Sequence, residues 1–93
     1  MKVIFALLLL VSTNAFAIPD EELAEKCLSA GKEKITLQAD ILGCKIISEV
    51  EAVGVDNRWY NPIKYVWYAA YLECPQSTYE LEKMVQYSGG ECL

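Results

Sequence analysis

The feature that most constrains this chain is a set of four cysteines, Cys27, Cys44, Cys74 and Cys92, spread through 93 residues. An even cysteine count in a short exported chain predicts a two-disulfide framework. A zinc site would favour close C-x2-C pairs and often histidine, and neither occurs here. The same spacing provides no C-x-x-C redox pair. Two crosslinks also suit a small domain, because each restricts the unfolded chain and adds ~2–4 kcal/mol to a limited core.

Export is read from the first 17 residues. Lys2 precedes an apolar run from Val3 to Val11, and Ala15-Phe16-Ala17 has the small-x-small pattern of a signal-peptide cleavage site. The mature chain expected is 18–93, a single small domain, placed most readily in the periplasm. Without Lys2 it carries seven basic and thirteen acidic side chains, a net charge of −6. No basic cluster is available to neutralise phosphates, so a nucleic-acid partner is not expected. No later stretch approaches the ~20 apolar residues of a membrane span, so no membrane insertion is expected after cleavage.

Four segments show regular patterning. The first runs from Asp20 to about Ala30, with Asp20, Glu21 and Glu22 at the positive end of a helix dipole and Gly31 as its stop. The second, from Ile35 to Val53, places Ile35, Ala39, Leu42, Ile46, Val50 and Val53 at helical intervals, with Gly43 as a costly interior residue. The third opens with Asn61-Pro62 and runs to Cys74, with Val66, Trp67, Ala70 and Tyr71 on the expected core face. Its residue types also suit a buried strand. The fourth begins with Ser77-Thr78-Tyr79-Glu80, the spacing of a capping box, and ends at Gly89-Gly90.

These patterns predict an all-α, four-helix domain stapled by two disulfides, with an α+β fold containing a short antiparallel hairpin as the alternative. In a helical hairpin turning between Gly54 and Asn61, Cys44 and Cys74 lie 10 and 13 residues from its ends. At 1.5 Å per residue their heights agree within ~5 Å. That favours Cys44–Cys74, leaving Cys27–Cys92 to join the termini, although three pairings are formally open.

Catalysis is not expected. Histidine is absent, which removes the commonest general base. The thiols are assigned to bridges, and no glycine-rich phosphate loop or cofactor motif occurs. A two-carboxylate hydrolase would need paired acids in a pocket, whereas the glutamates fall mainly on expected solvent faces. The informative segment is Asp56-Asn57-Arg58-Trp59-Tyr60. Trp, Tyr and Arg dominate binding hot spots, and three together in a loop resemble a recognition tip. The competing structural role is a lid, with Trp59 and Tyr60 folded back over the core.

Leu23-Ala24-Glu25-Lys26-Cys27, Cys44 opening an apolar stretch through Ile47 and Val50, and Cys74-Pro75 followed by Leu81, Val85 and Tyr87 give the mature chain a further character. In these residues it resembles the Rap/Tai family of immunity proteins, small exported helical proteins that protect bacteria against type VI secretion amidase effectors. Lys45, Ile46 and Ile47 stand where the family usually has glycine and tyrosine after the second cysteine, and the C-terminal region is shorter. The resemblance implies a non-catalytic protein that blocks a cell-wall hydrolase or toxin by direct contact. The alternative function is a small periplasmic chaperone or envelope-stress protein.

Overall fold

The structure, a computed structural model, describes residues 18–93. The expected signal peptide, residues 1–17, lies outside the described residues. No helix among the described residues is long and apolar enough to cross a membrane.

The helical part is a pair of consecutive helices, α1 (Asp20–Lys26) and α2 (Leu28–Leu42), separated only at Cys27. Their buried face is an i+4 row of Leu23, Cys27, Gly31, Ile35 and Ala39. Such a row forms a continuous ridge that can lie along a sheet. Gly31 does not stop the first helix. It lies inside α2, where a Cβ would come within 2.5 Å of Cδ2 of Tyr68, so only glycine lets this ring meet the helix backbone. Gly43 is the true terminator. At φ 70° it takes the left-handed conformation. Its N–H donates to the Asp40 carbonyl at 3.2 Å, and Cys44 N–H donates to Ala39 at 2.9 Å, the two bonds of a Schellman motif.

Beyond Gly43 the chain is a sheet. Strands β1 (Lys45–Ile46), β2 (Glu51–Asp56), β3 (Lys64–Glu73), β4 (Thr78–Ser88) and β5 (Glu91–Cys92) are all antiparallel to their neighbours. Both β1 and β2 pair with one side of β3, β4 pairs with its other side, and β5 closes against the end of β4. The four-helix expectation is therefore corrected: the domain is α+β, with a sheet well beyond a short hairpin. The expected helix over Ile35–Val53 is helical only to Leu42, and the third and fourth segments are β3 and β4.

The correction has a definite cause. Val66, Tyr68, Ala70 and Leu72 are buried against the helices, at period 2 rather than 3.6. The opposite face of this central strand carries Tyr65, Trp67 and Tyr71, so both faces are apolar and alternation in polarity disappears. Trp67 and Tyr71, expected in the core, lie on the outer face, while Tyr68 is fully buried and donates its hydroxyl proton to the Ala24 carbonyl. Burial raises the Tyr68 pKa to about 12. In β4 the expected capping serine belongs to a turn, where the Ser77 carbonyl accepts from Cys74 N–H at 2.8 Å. Gly89 and Gly90, at φ 60° and 84°, make the two-residue turn into β5, the conformation favoured by the twist of a hairpin.

The disulfides join Cys27 to Cys92 and Cys44 to Cys74, with Cα separations of 5.5 and 4.4 Å. The helical-hairpin height argument does not apply to the second. Lys45 pairs with Glu73, and that register places Cys44, just before β1, beside Cys74, just after β3. The first fastens β5 to the junction of the two helices.

Candidate functional site

The β2–β3 loop gathers all five residues of the sequence-derived tip. Asp56 ends β2 opposite Tyr65. Asn57 follows and points back into the domain: its side-chain amide donates to the Ile18 carbonyl and to Oδ1 of Asp20 at 3.1 Å. These bonds hold the loop to the start of α1.

Beyond Asn57 the chain makes a hydrogen-bonded turn. The Arg58 carbonyl accepts from Asn61 N–H at 3.0 Å and from the Lys64 ammonium. Asn61 in turn accepts the Ile63 N–H on its side-chain oxygen at 3.0 Å, a local bond that asparagine commonly makes in turns. Trp59 and Tyr60 are thereby the two central residues of the turn. Their rings meet edge to face at 5.7 Å and 87°. Trp59 is 81% exposed and Tyr60 64%. The lid arrangement is not the one adopted; the aromatic pair stands in solvent.

Arg58 lies beside them. Its Nε is 3.2 Å from Oδ1 of Asp56. The Tyr60 hydroxyl first, and the Asp56 carboxylate second, raise the guanidinium's pKa above its ordinary value. An exposed pair of this kind contributes little to stability. Its effect here is to orient the guanidinium.

A second aromatic pair adjoins the loop, and sequence periodicity missed it. Tyr65 and Trp67 lie on the sheet face away from the helices, with ring centroids 6.2 Å apart. Trp67 packs over Gly54 of β2, where an added Cβ would touch its Cε3 at 3.6 Å. The signal that could have found this pair is the i, i+2 spacing of Tyr65 and Trp67, which places both on one face of a strand.

The remaining chemistry is limited. All four cysteines are oxidised. Among the described residues no group of three acidic or cysteine side chains is placed to hold a metal ion. The loop can instead present two large rings, an oriented guanidinium and a fixed backbone, which is the chemistry of protein recognition. Comparison with known proteins finds no matching family model, no matching curated protein and no matching solved structure.

Proposed function

We propose that this chain is a non-catalytic, exported protein, placed in the periplasm, that binds another protein through the β2–β3 loop and inhibits it. The observation that carries the reading is the exposure of Trp59 and Tyr60 at the apex of a turn whose backbone is already fixed. Leaving two large aromatic rings in water is unfavourable unless a partner covers them. A loop ordered before binding also spares the entropy of ordering it in the complex. Arg58, oriented by Asp56, adds a directed charge at the same tip. The two disulfides fit an oxidising environment.

The partner class, a cell-wall hydrolase or toxin, comes from the resemblance to the Rap/Tai immunity proteins. The helical fold that resemblance implied is not the fold of this chain, so support for binding comes from the loop itself. Immobilised, oxidised protein exposed to periplasmic extract and to purified cell-wall amidases tests the proposal. Retention of one hydrolase, lost when Trp59 and Tyr60 are both alanine, is the expected result. Equal retention by the double variant removes the loop from the interface, and a broad set of unrelated clients favours the chaperone.

A further inference from the structure

The free edge of β4 offers a second surface, distant from the β2–β3 loop in the strand order and different in chemistry. Two observations fix which backbone groups face outward there. Cys74 N–H donates to the Ser77 carbonyl across the β3–β4 turn, and Gln86 exchanges two hydrogen bonds with Leu93 on the other side of β4, at 3.0 and 2.7 Å. Inward and outward pairs alternate along an antiparallel strand. Tyr79, Leu81, Lys83, Val85 and Tyr87 therefore bond toward β3, while Thr78, Glu80, Glu82, Met84 and Gln86 direct their N–H and C=O outward. Gln86 is satisfied by Leu93, and the Met84 carbonyl accepts from the Lys34 ammonium at 3.1 Å. Among the described residues nothing pairs with the outward groups of Thr78, Glu80 and Glu82.

Helix α2 runs alongside this open edge. Lys34 is fixed at Met84, and Leu42 shares a depression with Tyr79 and the Cys44–Cys74 bridge, so the helix lies antiparallel to β4. Leu37 and Ile41, one and two turns beyond Lys34 on the same stripe, fall between those points. They are 61% and 69% exposed. Leu37 also lines a depression with Lys34, Cys92 and Leu93 beside the end of β4, so the helix next to this edge carries exposed apolar side chains. On the other side Glu80 and Glu82 share the outer face of the sheet, opposite Tyr71 and Ala69.

We infer that this edge takes an extended segment of a partner protein as an added strand, with apolar residues against Leu37 and Ile41 and alternate Lys or Arg residues beside Glu80 and Glu82. Main-chain hydrogen bonds supply the attachment, and alternate side chains the choice of partner. Charge decides the occupant. If a second copy added antiparallel through its own β4, registers centred on residues 80, 81 or 82 would set glutamate against glutamate, which is destabilising. The same glutamates attract a basic strand, so they act as a guard against self-pairing and as a selectivity element.

The test uses the oxidised protein and a capped peptide of about eight residues alternating valine and lysine, with a valine–glutamate peptide as its counterpart. Binding is followed by NMR, together with amide hydrogen exchange at Thr78, Glu80 and Glu82. The lysine peptide should slow exchange at those three amides and bind at least about tenfold more tightly than the glutamate peptide. The E80K/E82K variant, its fold checked by circular dichroism, should reverse that preference. Replacing Leu37 and Ile41 with serine should weaken both peptides, and W59A/Y60A should leave them unchanged. Binding without protection of the three amides overturns the inference, as does no binding at all. Protection already present in a self-associated protein without peptide would assign the edge to a second copy instead. Loss of peptide binding in W59A/Y60A would place the site at the β2–β3 loop and overturn it as well.

Discussion

Gly31 is the residue to which sequence pattern and structure assign different roles, a helix stop and a close contact with Tyr68, and replacing it with alanine with and without the Tyr68 ring separates them. A glycine that ends a helix in the left-handed conformation also loses stability on replacement by alanine, whereas one exposed inside a helix gains about 1 kcal/mol from it. Here the new Cβ would sit 2.5, 2.6 and 3.0 Å from Cδ2, Cγ and Cε2 of Tyr68. Carbon atoms rest at about 3.5–4.0 Å, so ring and helix must separate by about 1 Å. The ring cannot move alone, because it is fully buried and its hydroxyl is bonded to the Ala24 carbonyl. Overpacking of a core costs about 1–3 kcal/mol and a weakened hydrogen bond about 0.5–1.5. Against the helix gain, the net expectation is a loss of about 2 kcal/mol. For a domain of this size that lowers Tm by about 10 °C. Thermal melts by far-UV circular dichroism, with both disulfides intact, provide the measurement. The sign should reverse in a Tyr68→Leu background, where the Cβ meets no ring and alanine stabilises by up to about 1 kcal/mol. An unchanged or raised Tm for G31A in the wild-type background would refute the close approach of α2 and β3.

Further consequences can be measured independently. Tyr68 has a pKa of about 12 in the fold against 10.0 ordinarily; its contribution to stability is complete below pH 10 and is lost as pH rises through the folded value. Denaturant midpoints between pH 9 and 12 should therefore fall more steeply for the wild type than for Tyr68→Phe, and parallel slopes would count against burial. Removing Cys27–Cys92 by double serine substitution should cost about 0.7 kcal/mol more than removing Cys44–Cys74, because the loops closed span 65 and 30 residues. Urea titration of the two variants gives that difference. W59A/Y60A should change stability by no more than about 0.5 kcal/mol, as exposed substitutions do, whereas Asn57→Ala should cost about 1 kcal/mol by releasing the loop from the start of α1.

Some of this architecture was legible in the residues. The acidic start of α1, the four cysteines and the aromatic loop each follow from local chemistry that the tertiary fold leaves intact. What misled was the sheet. β3 is central, with both faces apolar, so Val66, Trp67, Ala70 and Tyr71 also satisfy a helical spacing. Only the β-branched and aromatic types argued otherwise. Ser77–Glu80 satisfies the capping-box spacing by residue type, but Ser77 closes the β3–β4 turn against Cys74 and Thr78–Glu80 already belong to β4. Gly43 was readable as a terminator, since a left-handed C′ glycine is commoner than one inside a helix. Reading it so would have ended α2 at Leu42 and freed Lys45–Asp56 to be strands. The exposure of Trp59 and Tyr60 was not decidable from composition. It depends on the Arg58–Asn61 hydrogen bond, which places both residues at the apex.

Inhibition by direct contact is the central functional claim, and it is tested most directly on a hydrolase that the immobilised protein retains. Peptidoglycan clearing by that enzyme is measured as the oxidised protein is added up to and beyond equimolar amounts, with W59A/Y60A in parallel. The account predicts loss of clearing at a one-to-one ratio and retained clearing with the double variant. Undiminished clearing by an enzyme that still binds the protein would contradict it, as would inhibition that the double variant reproduces in full.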